Sequence, residues 1–297
     1  MSGKNLHALS DDPVGLLAGW GHLPIVVAHA LRRQGRRVCC LGVKDHASGE
    51  LAEICDAFQW VGLARLGAAL RFFRQHEVRQ ATMAGKFHKT LIYQKWAWLK
   101  HLPDLRFVRT FYPHFISLEK DRQDDTLLNT LVEAFAISGI RFLPAVQYAP
   151  DLLIGAGAVT PRRPTTRQQK DIEFGWHIAK HMGGLDIGQS VCVKDQAVLA
   201  VEAIEGTDHC IRRAGSLCGA GGFCVVKVAK PQQDMRFDVP TVGLGTLEAM
   251  AAAGAGLLAV EASRTILLDK QAFIEQAMRR HITVVAVDAA GLMRQAA

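Results

Sequence analysis

The feature that most narrows the fold is an alternation of short apolar runs with stretches of helical spacing, which starts at Val14 and continues almost to the C-terminus. Val14–Ala18 is a short apolar run ending in Gly19-Trp20-Gly21, helical periodicity covers 23–31, Gly35 stops it, and a second apolar run fills 37–42. Strand, glycine turn, helix, strand is a βαβ unit. Further apolar runs lie at 58–61 and 81–84, with helical spacing over 66–73 between them. A helix is predicted over 124–138, opened by Asp124-Asp125, where acids favour the helix dipole, and closed by Gly139. Such alternation implies a parallel sheet with helices on both faces.

The tract 150–166 changes character, with Pro150, Pro161, Pro164 and two glycines, and reads as an interdomain connection. Beyond it the pattern predicts a helix over 166–182 and strands at 190–194 and 197–202, split by a hairpin turn at Asp195-Gln196. A strand at 223–228, a helix at 246–253 and strands at 256–260 and 265–268 follow. A helix at 270–281 and a strand at 283–287 close the chain. The strands of this half stand closer together and are expected to be mixed in direction. The expected architecture is α/β: an N-terminal Rossmann-like parallel-sheet domain over 13–150 and a C-terminal α/β mixed-sheet catalytic domain over 166–290, joined by the linker 151–165.

Composition supports a real core: 49% of the 297 residues are hydrophobic and 21% charged. The formal charge of +7 is either a solvated basic surface or an attraction to an anionic ligand. Nucleic acid is the weakest such ligand, because aromatics are 7% and interleave no basic run. Seven cysteines, Cys39, Cys40, Cys55, Cys192, Cys210, Cys218 and Cys224, are scattered without a C-x-x-C pair, as expected of buried free thiols in a reducing cytosol. Residues 1–13 are polar with no apolar h-region, and no apolar stretch reaches about 18 residues, so a cytoplasmic protein is expected.

Gly15-x-x-x-Gly19-x-Gly21 lies where a phosphate would meet helix N–H groups. It departs from G-x-G-x-x-G, Trp20 would crowd a pyrophosphate, and no acidic residue ends the second run at Gly42 to accept a ribose. A tight strand-to-helix turn and a nucleotide-touching loop both remain open, while an NAD-dependent oxidoreductase is disfavoured. Ala84-Gly85-Lys86 ends a strand, so Lys86 is a phosphate contact or a surface lysine.

The second half is richer. Asp186-x-Gly188-Gln189 precedes a strand, Glu202-x-x-Glu205-Gly206-Thr207-Asp208 follows the next, and Lys227-x-x-Lys230-Pro231 leaves a third. In Gln233-Asp234-x-Arg236-x-Asp238-x-Pro240-Thr241 the two acids and the arginine have period 2, which in an extended segment puts them on one face. Two carboxylates can hold a hard dication and an Arg fork a phosphate, so the set suits metal-assisted phosphoryl chemistry. The bland alternative is a series of turns and caps. His177-x-x-x-His181 is a candidate metal pair or simply two exposed helix histidines. Gly219-x-Gly221-Gly222 lacks the G-K-[ST] of a phosphate loop, and no G-x-S-x-G elbow occurs.

Several strings resemble the LpxI-type UDP-2,3-diacylglucosamine pyrophosphatases. In the first half these are Leu17-Ala18-Gly19-x-Gly21-x-Leu23-Pro24, Ala84-Gly85-Lys86 and Asp124-Asp125-x-Leu127-Leu128. In the second they are Asp171-Ile172, Leu185-Asp186-Ile187-Gly188-Gln189, the stretch from Ala200 to Asp208, and Lys227-x-x-Lys230-Pro231-x-Gln233-Asp234-x-Arg236-x-Asp238-x-Pro240-Thr241-x-Gly243. The resemblance implies a lipid A pathway hydrolase that uses Mg²⁺ to split UDP-2,3-diacylglucosamine into UMP and 2,3-diacylglucosamine 1-phosphate, in a cleft between two domains. It implies catalytic roles for Asp238, Asp234 and Glu205, with Asp238 and Glu202 as metal ligands. Gly19, Gly21, Leu23, Lys86, Gln189, Thr207, Asp208, Lys227, Arg236 and Thr241 would bind substrate. The partner is then a nucleotide-linked lipid at the inner-membrane surface, met peripherally; a homo-oligomer is compatible with this reading and nucleic acid is not expected. The alternative class is a non-catalytic UDP-sugar- or nucleotide-binding regulatory protein.

Overall fold

The computed structural model describes residues 12–86, 102–115 and 124–289. The chain divides into two compact units, one comprising residues up to Ala149 together with Asp234–Phe237, the other Pro150–Gln233 and the residues from Asp238 on.

In the N-terminal unit, strands β1 (Val14–Ala18), β2 (Val38–Val43), β3 (Ala57–Val61), β4 (Gln80–Ala84) and β5 (Arg141–Phe142) form a parallel sheet in the order β3-β2-β1-β4-β5. β1 and β2 are buried throughout, which is why they read as unbroken apolar runs. Helices α1 (Leu23–Arg33), α2 (Leu51–Ile54), α3 (Leu66–Gln75), α4 (Leu105–Phe115), α5 (Asp124–Ile137) and α6 (Ala145–Tyr148) accompany them. One core holds Leu17, Leu41, Phe73, Met83, Phe135 and Phe142, and another holds Leu16, Val27, Leu31, Val38, Cys40 and Leu51. Gly15 is a packing glycine: a Cβ there would come within 2.9 Å of the Phe73 ring and Val78. The side chains of Asp124 and Asp125, expected at the start of α5, lie outside the described residues.

The second run reaches Val43 rather than Gly42, and Asp45 follows at φ 61°, so an acidic residue does stand just past β2. The chain passes from β1 to β2 and β3 on one side, then returns to β4 on the other. That reversal puts a switch point, and so a crevice, at the C-terminal ends of β1 and β4.

The C-terminal unit has a mixed sheet in the order β6 (Gly157–Ala158), β13 (Thr283–Val287), β11 (Leu257–Glu261), β9 (Cys224–Lys227), β7 (Ser190–Lys194), β8 (Ala197–Val201). β9, β11 and β13 are parallel. β7 is antiparallel to both β9 and β8. The predicted hairpin is present, with Asp195 and Gln196 at φ 55° and 57°, the left-handed pair that a two-residue turn requires. The connecting tract carries β6, which joins the sheet edge beside β13. A short parallel pair, β10 (Thr241–Val242) with β12 (Ile266–Leu267), stands apart from the main sheet. Helices α7 (Thr166–Gly184), α8 (Thr207–Leu217), α9 (Leu244–Ala253) and α10 (Lys270–Arg279) complete the unit. α7 opens with a capping box in which Thr165 and Gln168 satisfy each other's backbone N–H groups. All seven cysteines are free thiols, five of them buried.

Candidate functional site

The polar centre of the C-terminal unit is one row of the sheet. Ser190 pairs with Lys227 across β7 and β9, and the Glu202 N–H donates to the Ser190 carbonyl at 2.9 Å, just past the Val191–Val201 pair of β7 and β8. Residues directly opposite one another share a face, so Glu202, Ser190 and Lys227 line up across adjacent strands. Thr207, the first residue of α8, covers the row. Its Oγ1 donates to Glu202 Oε1 at 2.8 Å, accepts from Lys227 Nζ at 2.9 Å and lies 3.3 Å from Ser190 Oγ. Lys227 is 6% exposed and Glu202 7%, and Ser190 is fully buried. Glu202 Oε2 and Gln189 Oε1 are buried with no hydrogen-bond partner among the described residues. The tight approach requires Gly188, because a Cβ there would collide with the Glu202 carbonyl.

A second group follows β9. Lys230 Nζ reaches Asp186 Oδ1 at 2.5 Å and Asp238 Oδ2 at 3.4 Å, and Gln233 Nε2 donates to Asp238 Oδ2 at 2.5 Å. Gln233 Oε1 also accepts the Lys230 N–H at 2.8 Å, closing the loop on itself. Its root is clamped from below: Glu261 Oε2, at the end of β11, accepts the Ala229 N–H at 2.7 Å. Lys180 Nζ, from α7, donates to both Glu261 oxygens at 2.8 and 2.7 Å and to the Ala229 carbonyl at 2.8 Å. The backbone between Lys227 and Lys230 is thereby fixed by a part-buried ion pair.

Asp234, Arg236 and Asp238 do not form one electrostatic unit. The segment is a turn and not an extended strand, with the Phe237 N–H donating to the Asp234 carbonyl, so the period-2 reading fails. Asp234 and Arg236 pair with each other in the N-terminal unit, where Arg236 Nη2 also donates to Asn129 Oδ1 at 2.6 Å and Phe237 packs against the Phe73 core. Burial pushes the Asp234 carboxyl up, but the Arg236 fork and backbone N–H outweigh it and hold it below the usual range. Glu205 turns away from the row. Its Oε1 accepts from Arg213 at 2.6 Å and Oε2 from the Ala203 N–H at 3.1 Å; hydrogen bonds from its own backbone and from Arg213 depress its pKa. Asp208 sits in the first turn of α8, and Thr241 Oγ1 donates to the Val239 carbonyl at 3.0 Å.

In the N-terminal unit the two predicted loops meet at the switch point. The Gly19 N–H donates to the Ala84 carbonyl at 2.8 Å, and Trp20 and Lys86 exchange backbone hydrogen bonds at 2.9 Å. Gly85, at φ 93°, has no room for a Cβ, which would lie 2.8 Å from Gly19 and from the Trp20 carbonyl. Gly21, at φ 103°, turns the chain into α1, whose first turn contains Pro24, and Leu23 packs against the Leu16 core. Trp20 is 52% exposed, with Lys86 Nζ 5.9 Å from its ring centroid.

Comparison with known proteins settles the family. The LpxI N-terminal domain model matches residues 13–152 and the LpxI C-terminal domain model residues 155–285. The chain belongs to the LpxI family. The UDP-2,3-diacylglucosamine pyrophosphatase LpxI of Caulobacter vibrioides is 28% identical over 282 residues, covering 93% of this chain and 97% of that protein. Of the site residues that the LpxI resemblance implied, the structure brings together Glu202, Thr207 and Lys227 in the row, and Gly19, Gly21 and Lys86 at the switch point. Asp238 stands in the second group, with Lys230, Gln233 and Asp186.

Ser190, Lys180 and Glu261 had no local signal in the sequence. Ser190 acquires its place only through strand register, and Lys180 meets Glu261 across 81 residues. Among the described residues, no three His, Cys, Asp or Glu side chains converge as a metal cluster, and His181 Nδ1 contacts the His177 carbonyl at 2.7 Å. Nor is any helix of the described residues long and apolar enough to cross a membrane.

Proposed function

We propose that this chain hydrolyses the pyrophosphate of UDP-2,3-diacylglucosamine to UMP and 2,3-diacylglucosamine 1-phosphate, as a step of lipid A synthesis. What carries the reading is the relative of that name, aligned over 93% of the chain. The site chemistry agrees with it. Lys227 and Lys230 place two ammonium groups three residues apart on a clamped backbone, suited to neutralising a diphosphate. Asp238 is the carboxylate beside Lys230, oriented through Oδ2 by Gln233 and Lys230, and is assigned the central catalytic role.

Mg²⁺ fits as a metal shared with the substrate. This ion is commonly held by one or two carboxylates plus substrate phosphates, and Asp238 would be the residue to hold it. When bound it would draw charge from the phosphates and acidify a water. Glu202 is a poorer ligand, because its Oε1 is engaged by Thr207 and the Lys227 ammonium shares that hydroxyl. The net charge of +7 suits a peripheral encounter with an anionic nucleotide-lipid at the inner face of a membrane. The test is UMP release from UDP-2,3-diacylglucosamine by the purified protein with Mg²⁺. Turnover that disappears with a chelator supports the proposal; tight binding without UMP marks a nucleotide-binding regulatory protein instead.

A further inference from the structure

Glu202 Oε2 is a carboxylate oxygen on a side chain 7% exposed, with no hydrogen-bond donor on it among the described residues. Desolvating an anionic oxygen without a donor is costly, and native structures rarely leave one unless a ligand supplies the donor. Its sister oxygen is satisfied by Thr207 at 2.8 Å, so the carboxylate is held in one orientation. The Gly188 backbone, pressed against the Glu202 carbonyl, fixes the main chain from the other side. Two ligand chemistries could complete Oε2, a metal ion or a hydrogen-bond donor. Lys227 already places positive charge one hydroxyl away, no carboxylate or histidine cluster completes a metal shell among the described residues, and the groups next to the carboxylate are the hydroxyls of Thr207, on Oε1, and of Ser190, on Thr207. Those neighbours resemble a sugar-binding subsite more than a dication site.

We propose that Glu202 Oε2 accepts a hydrogen bond from a sugar hydroxyl of the ligand, next to the phosphate that Lys227 contacts, and so acts as a specificity residue and not a metal ligand. The inference rests on the ligand being a sugar nucleotide. Such a ligand carries two phosphate-linked sugars, the ribose of UMP and the glucosamine, and either has the required chemistry.

The experiment is calorimetric titration of wild-type protein and Glu202→Gln with UMP, 2′-deoxy- and 3′-deoxy-UMP, glucosamine 1-phosphate, and its 4-deoxy and 6-deoxy analogues, each at low and high Mg²⁺. A hydroxyl that bonds a carboxylate is worth about 10- to 100-fold in affinity. One deoxy analogue should therefore lose about that factor on the wild type, and the same analogue should bind wild type and Glu202→Gln equally well. Its identity names the ribose or the glucosamine. If Glu202→Gln weakens parent and deoxy ligands alike, no ligand hydroxyl meets Glu202 and the inference is overturned. Recovery of the variant's affinity at high Mg²⁺ makes Glu202 a metal ligand and overturns it too. Both of these results leave the proposed hydrolysis standing if UMP is still released. Absence of binding by UMP and by glucosamine 1-phosphate to the wild type overturns the inference, and absence of UMP release separately removes the function on which it rests. Matched thermal melts of the two proteins confirm that the variant is folded.

Discussion

Glu202 and Glu205 are three residues apart, and the LpxI resemblance implies a metal-ligand role for the first and a catalytic one for the second. One is buried in a row with Ser190 and Lys227, the other is paired with Arg213 on the surface of its turn. The difference comes from Gly206 at φ 84°, which reverses the chain so that Thr207, not Glu205, faces the row. Thr207 is therefore the residue whose loss should be felt most widely. Thr207→Val removes one acceptor and one donor at the centre of the row and should cost about 1–3 kcal/mol in denaturant titrations, while Thr207→Ser retains most of the stability. UMP release should fall with Thr207→Val and recover with Thr207→Ser. Identity and spacing revealed that residues 202–208 carry chemistry, but not which side chain points inward. That is set by a backbone dihedral and by strand register.

At the scale of elements, the strands and long helices were legible because their apolar periods are unambiguous and Gly35, Gly139 and Gly254 mark helix ends. α4 was missed although Phe107, Val108 and Phe111 have helical spacing, because Pro113 lies inside it; it is organised by Asp104, whose Oδ1 accepts the Phe107 N–H at 2.8 Å while Oδ2 accepts the Gly67 and Ala68 N–H groups of α3 at 2.6 and 3.3 Å. One carboxylate caps two helices, so Asp104→Ala should lower stability by about 1–2 kcal/mol, measured by urea unfolding. The β7–β8 hairpin offers the opposite sign. Gln196 holds φ 57° at the cost of a strained left-handed conformation, and Gln196→Gly should raise the melting temperature by relieving about 0.5–1 kcal/mol. The clamp under Lys230 is a third case. Glu261→Gln removes the charge from the pair but leaves Lys180 an acceptor, and should destabilise the C-terminal unit by about 1–2 kcal/mol in urea unfolding.

Across the whole molecule, the α/β class and the mixed second sheet followed from pattern, whereas the assignment of Asp234–Phe237 to the N-terminal unit did not. No local rule separates residue 237 from 238; Arg236 finds Asn129 only once the chain has folded. The Asp234–Arg236 pair gives this segment a pH signature. The folded pKa of Asp234 lies below its unfolded value, so its stabilisation is complete above that unfolded value of about 3.9 and is lost as pH falls through the folded one. Asp234→Asn should thus be less stable than wild type at neutral pH, with the gap narrowing as the pH falls below the unfolded value and through the folded one; a gap that does not narrow in acid would contradict the pairing. The account as a whole stands on Asp238. Its contacts lie in a half-exposed loop, so Asp238→Ala should melt with the wild type while UMP release from UDP-2,3-diacylglucosamine falls by at least about 100-fold. A folded Asp238→Ala protein that releases UMP at the wild-type rate would contradict it.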